Sequence, residues 1–220
     1  AIFATGREMI GTLKEEGRSR KAIRIGALAT LSRNFHMEFL RPILGRQDVE
    51  IILRSGTSAD LLQALETLNL DVVLINRAPF RDAATPFVSH RLSEQPVSLV
   101  GSPDLLGGIS GLSELLARLP FILPTSDTGV RIGFDALTER LGIRPQIAAE
   151  VEDMAMMRLL AREGVGLAVL PPIVVQDELS NGRLVEADRL QGIGETFFAV
   201  TLTRRFPNTI LSELLKDRTL

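Results

Sequence analysis

The chain has no cysteine, no tryptophan and no tyrosine, and only two histidines. Without cysteine there is no disulfide, no zinc–thiolate site and no thiol nucleophile. Phenylalanine carries all the aromatic content, so stacking platforms for single-stranded nucleic acid are not expected. His36 and His90 are far apart and lack metal-ligand spacing, so they read as surface or hydrogen-bonded residues rather than ligands or bases. Positive charge is not in excess: Lys+Arg 25 against Asp+Glu 27 gives a net charge of −2. That balance argues against direct contact with DNA. The one basic run, Arg18 to Lys21, reads as a solvated linker. No apolar run is long enough to cross a bilayer. Arg7, Glu8, Lys14, Glu15 and Glu16 interrupt any secretory core, so a cytoplasmic protein away from membranes is expected. Phosphate-loop, nucleophile-elbow and paired-histidine zinc motifs are absent. The expectation is a protein that is not an enzyme and uses no cofactor or metal.

What is present is an ordinary globular composition. The 220 residues are 45% hydrophobic and 24% charged, enough for one large domain or two small ones. Residues Ile2–Glu16 are helix-like. Apolar runs then predict strands at Ala22–Leu28, Val49–Leu53 and Asp71–Ile75, with helices between them bearing Phe35, Phe39, Leu40 and Leu61, Leu62, Leu65. Two extended segments follow, at Phe87–Leu92 and Val97–Val100. After a glycine-rich loop at 102–111 and a short helix at Ser113–Arg118 the alternation restarts. It gives strand Phe121–Leu123, helix Val130–Leu141, strand Gln146–Val151, helix Met154–Arg162 and strand Val165–Leu170. A strand at Glu195–Thr203 and a helix at Asn208–Lys216 end the series. Strand–helix alternation with short loops implies parallel strands, and two such blocks predict two lobes facing a cleft rather than one continuous sheet.

The stretch from Met157 to Val175 carries the most information. It reads as a helix stopping at Gly164, a turn, a buried strand, and a new helix opened by Pro171 and Pro172. Glu178 to Glu186, with its Gly182-Arg-Leu-Val185, follows. Ile23 to Leu28, Phe39 to Pro42, Val49 to Thr57 and Leu70 to Leu74 precede it. This ordered set resembles the effector-binding domain of LysR-type transcriptional regulators, from about Ile23 to Leu215. Leu123 to Arg131, with Phe134-Asp135 and Gly142 to Pro145, is further similar to the branch that activates sodium/proton antiporter genes.

The resemblance implies an α/β fold of two Rossmann-like subdomains with a hinge, type 2 periplasmic-binding-protein-like. Subdomain I would hold residues 22–92 plus 194–220, and subdomain II residues 97–188. The hinge would lie at 93–96 and 189–193, and residues 1–21 would be a remnant of a linker helix and linker. It also implies a small-molecule or ion effector, a homodimer or homotetramer, and DNA binding only through an N-terminal winged helix-turn-helix absent from this sequence.

Ligands of such folds sit at the carboxyl ends of strands, near helix starts. Thr30 and Ser32 follow the first strand, and Thr57 and Ser58 the second, where Gly56 admits close approach. Asn76 ends the third, with Arg77 beside it. Thr125, Ser126, Asp127 and Thr128 form the densest polar loop. Thr30, Ser32, Thr57, Ser58, Asn76, Thr125, Ser126 and Thr128 are the candidate ligand-binding residues. The competing reading for each is simple helix capping or a polar turn. Asp127 would repel an anion, so it either caps the helix or faces a cationic ligand. Glu152 and Asp153 suit the start of the next helix. Met154, Met156 and Met157 read as packing residues.

Three functions compete. A ligand sensor that controls transcription fits the resemblance. A solute-binding protein for transport would use the same fold. An enzyme such as a dehydratase would too: Thr203-Arg204 suits one, but Arg205 interrupts the pattern.

Overall fold

In the computed structural model, which describes residues 20–80, 87–204 and 207–216, the apolar runs become eight strands. The helix expected at Ile2–Glu16 lies outside the described residues. Two compact units divide the chain. The first takes the described residues of Ala1–Ala29, His36–Ser93 and Thr196–Leu220, the second Thr30–Phe35 and Glu94–Glu195.

In the first unit β1 (Lys21–Leu28) runs parallel to β2 (Val49–Gly56) and β3 (Val72–Ile75). Helix α1 (Arg33–Leu40), which begins in residues grouped with the second unit, ends in a 3-10 turn at Arg41–Ile43, where Pro42 halts the α-helical ladder. Between β2 and β3, α2 (Ser58–Glu66) turns Leu61 and Leu65 onto Leu70, Val73 and Ile75. The long strand β8 (Val185–Leu202) closes this unit by pairing antiparallel with β3, Val73 opposite Val200. Helix α8 (Thr209–Lys216) buries Ile210, Leu211 and Leu214.

In the second unit β5 (Pro120–Leu123) lies between β6 (Gln146–Glu150) and β7 (Leu167–Leu170), parallel to both. The end of β4 (Phe87–Gly101) pairs antiparallel with β7. Short helices α3 (Pro103–Leu106) and α4 (Leu112–Arg118) link β4 to β5. Alternation along β5 serves two cores. Phe121 and Leu123 pack with Leu115, Leu116 and Phe134, the last from α5 (Gly129–Leu141). Ile122 packs with Met157 and Ala161 of α6 (Met154–Arg162) and with Val174 and Val175. A strand covered on both faces is a continuous apolar run, as Phe121-Ile-Leu123 is. After β7 come a 3-10 turn, Pro172–Val175, and α7 (Gln176–Ser180).

The hydrogen-bonded order is β2-β1-β3-β8-β4-β7-β5-β6. The mixed α/β fold expected from the sequence is present, and β4 and β8 each contribute residues to both units. Pro96 makes β4 read as two segments, and Gly192 and Gly194 hide the first half of β8. A Cβ on Gly194 would stand 3.3 Å from the Gln95 carbonyl oxygen, so this glycine permits close backbone approach. The helix expected after Pro171 likewise begins as a 3-10 turn.

Candidate functional site

Parallel strands send their carboxyl ends to one edge, where helix starts and polar side chains gather. In the first unit Leu28 of β1 is level with Gly56 of β2, and the Ala29 N–H donates to the Gly56 carbonyl over 3.1 Å. Ala27 is level with Leu74 of β3. Thr57, Ser58 and Asn76 therefore leave the same edge. Thr57 caps α2: its Oγ1 accepts the Asp60 N–H at 3.2 Å and donates to the Asp60 carboxylate at 2.7 Å. Its one proton is committed, so toward a ligand it offers only a lone pair. Ser58 is exposed at the start of α2, Asn76 is half-buried and Arg77 exposed.

In the second unit Leu123 of β5 is level with Glu150 of β6, and the Val151 N–H donates to the Leu123 carbonyl over 2.9 Å. Residues 124–128, 151–153 and 171–173 thus leave one edge. Thr128 caps α5: its hydroxyl accepts the Arg131 N–H at 3.2 Å and donates to the Thr125 carbonyl at 2.9 Å. Thr125 is half-buried, and Ser126 and Asp127 are exposed. Asp153 caps α6 by accepting the Ala155 N–H at 3.0 Å. Met157 is buried while Met156 is exposed.

Thr30 and Ser32, expected with the first three strands, group with the second unit. Ser32 is buried, and its Oγ accepts the Phe35 N–H at 3.4 Å. The Asn34 amide nitrogen donates to the carbonyls of Ile173 at 2.9 Å and Val174 at 3.4 Å. This ties the start of α1 to the turn after β7. The second unit thus carries Thr30, Ser32, Thr125, Ser126 and Thr128, and the first carries Thr57, Ser58 and Asn76.

Two residues at these edges escaped the sequence reading. Asn34 was not among the candidate ligand-binding residues. Arg131 was quoted only as a motif residue, although its spacing to Asp135 is the one that pairs charges on a helix. Its guanidinium is held more firmly protonated than usual, chiefly by its bond to Glu150 and further by Asp135, against the opposing effect of burial. His36 is buried rather than on the surface. His90 is half-buried, its Nε2 3.0 Å from the Thr201 Oγ1, and burial lowers its pKa.

Other features lie apart. A cavity of about 500 Å³, lined by Ser102, Asp104, Arg162, Glu163 and Arg183, sits where β4 ends and β7 begins, opposite the carboxyl end of β7. It contains none of the predicted residues. Among the described residues no three histidine or acidic side chains are placed to hold a metal ion. No helix among them is long and apolar enough to cross a membrane.

Comparison with known proteins supplies the context for these edges. The malonate utilization transcriptional regulator of Klebsiella pneumoniae is 29% identical over 175 residues, which is 77% of this chain and 56% of that protein. The chain spans about half the length of the curated relatives it matches. The regulatory domain of HypT from Salmonella typhimurium superposes with a TM-score of 0.66 at 17% identity, covering 91% of this chain and 96% of that one. The Synechocystis PCC6803 CcmR regulatory domain, solved in complex with 2-PG, gives 0.65 at 16% identity, covering 90% and 97%. At such identities these likenesses show the fold, a mixed α/β domain of type 2 periplasmic-binding-protein-like architecture. The LysR substrate binding domain family matches residues 16–216, and the chain belongs to that family.

Proposed function

We propose that this domain is the effector-sensing part of a LysR-type transcriptional regulator. The family match across residues 16–216 carries the reading. The polar helix starts at the strand ends support it. The effector engages Thr57, Ser58 and Asn76 of the first unit and Thr30, Ser32, Thr125, Ser126 and Thr128 of the second. Residues 93–96 and 189–193 act as hinges between subdomains at 22–92 plus 194–220 and 97–188. The regulator works in the cytoplasm as a homodimer or homotetramer and reaches DNA through a winged helix-turn-helix. By linkage, the effector acts only to the extent that it prefers one arrangement of the protein over another.

The names of the relatives put small organic acids first among the probes: malonate from one, 2-PG from the other. We further infer membership of the antiporter-activating branch, on the residues from Leu123 to Arg131 and Gly142 to Pro145. Sodium and lithium salts therefore join the panel. A hard cation needs several oxygen ligands, which favours an organic effector over a bare ion.

A thermal-shift screen of dicarboxylates, phosphorylated acids, amino acids and alkali cations tests the reading. A compound at 100 times its Kd stabilises by about 2.7 kcal/mol. For a domain of this size that raises Tm by roughly 5–10 °C. Thr30→Ala and Thr125→Ala should keep the unliganded Tm and lose the shift. A screen with no shift counts against the sensor, and unchanged affinity in both variants removes these residues from the site.

A further inference from the structure

The first turn of α5 holds an arginine against the local electrostatics. The start of a helix favours negative charge, yet Arg131 sits three residues past the cap Thr128. Its side chain is only 12% exposed. Nε donates to both oxygens of Asp135, each at 3.0 Å. Nη1 donates to Glu150 Oε2 at 2.6 Å and to the Pro124 carbonyl at 3.3 Å. One planar cation thus joins three places: the next turn of its own helix, the carboxyl end of β6, and the first residue of the loop 124–128. The other end of that loop is closed by Thr128, whose N–H and hydroxyl both donate to the Thr125 carbonyl.

A residue placed against local preference, with every contact directed at one loop and its two supports, is there for position. We infer that Arg131 is a positioning residue: it presets the loop 124–128, so that Thr125 and Ser126 stand in one arrangement before an effector arrives. The inference rests on the sensor reading for its functional meaning. Its physical content is measurable without an effector.

The experiment is amide hydrogen exchange by NMR on the unliganded domain, comparing the native protein with Arg131→Lys and Glu150→Gln. Lysine keeps the charge but lacks the planar fork that serves several acceptors at once. The diagnostic amides are those of Thr128, bonded to the Thr125 carbonyl, and of residue 131, bonded to Thr128 Oγ1. In Arg131→Lys these amides should exchange at least tenfold faster, with Tm close to the native value because the charge is retained. Core amides of β5 and β7 should keep their native rates. Glu150→Gln, which leaves the arginine and one neutral acceptor, should give a smaller acceleration confined to the same loop. Unchanged exchange in both variants overturns the inference. So does uniform acceleration through β5 and β7, which would make Arg131 a contributor to overall stability alone. A screen that yields no effector strikes the sensor reading and leaves the exchange result intact, so the two failures are distinct.

Discussion

Asp71 holds the backbone N–H of Arg24 on one carboxylate oxygen and the guanidinium of Arg204 on the other, both at 2.8 Å. Its side chain is 4% exposed and that of Arg204 14%. Arg204 also donates to the Leu70 carbonyl, and Asn208 donates to the Ala22 carbonyl. The carboxylate thereby fastens the segment after β8 to the start of β3 and to β1. Removing the carboxylate leaves a largely buried guanidinium without its counter-charge and takes from the Arg24 N–H its side-chain acceptor. Asp71→Ala should cost about 3–5 kcal/mol, read as a lower urea midpoint at constant slope. A loss below about 1 kcal/mol would show that Arg204 rehydrates freely. The Thr203-Arg204 pair, weighed in the sequence as a catalytic signature, owes its arginine to this anchoring.

The two glycines of Gly164-Val-Gly166 act by different mechanisms, and mutation separates them. Gly164 has φ +71°, the left-handed conformation that ends α6. A Cβ there meets only Ser102 Oγ at 3.5 Å, so Gly164→Ala should cost about 1–2 kcal/mol through backbone strain alone. A Cβ at Gly166 would lie 2.7 Å from the Pro120 carbonyl oxygen, a backbone atom that cannot swing aside. Gly166→Ala must therefore shift β7 against β5, and should cost more, up to about 3 kcal/mol. Denaturant titration of the two variants checks the order, and equal losses would show that β5 and β7 part without strain.

How much of this was legible in the sequence depends on the distance over which each feature is decided. Helix α6 was readable to its ends, because cap, amphipathic stripe and glycine stop are local. Strands β4 and β8 were not. Pro96, Gly192 and Gly194 resemble breakers, and only pairing with distant strands carries the chain through them. At the site, polar helix starts could be located from the strand–helix alternation. That Thr57 and Thr128 commit their hydroxyl protons to local partners depends on contacts near 3 Å, which no spacing rule supplies. Arg131 was missed because Glu150, its shortest contact, is 19 residues away on another element.

His90 gives the fold a calculable dependence on pH. Burial lowers its pKa below the ordinary 6.5, since the charged ring loses water. In the unfolded chain the ring titrates near 6.5. Above that pH both states are neutral, and His90 contributes no pH dependence. As the pH falls through 6.5, protons bind the unfolded chain first and stability declines, levelling off below the lower folded value. The Thr201 hydroxyl, 3.0 Å from Nε2, can donate to the neutral ring. His90→Gln should therefore remove the part of the stability loss that falls between pH 7.5 and 5.5. Unfolding curves of both proteins at these two values decide it, and parallel losses would place the titrating group elsewhere.

Asn34 offers the sharpest test of a single amide. Its nitrogen faces two carbonyl oxygens, those of Ile173 and Val174, so the position demands a donor. Asn34→Ala removes both bonds to the two carbonyls, a loss of about 1 kcal/mol. Asn34→Asp keeps the shape but sets a carboxylate against two carbonyls. Repulsion and desolvation add to the lost bonds, so at pH 7 it should be the more destabilised variant, by a further 1–2 kcal/mol or so. Acid reverses the ranking, because a protonated aspartic acid regains one donor. The two carbonyls oppose the charged form more strongly than the first turn of α1 favours it, so the folded pKa is raised and protonation stabilises the fold as the pH falls toward 4. Thermal melts of the two variants at pH 7 and pH 4 should cross. If Asn34→Asp stays equal to Asn34→Ala throughout, the start of α1 is not held to the turn after β7 by this amide.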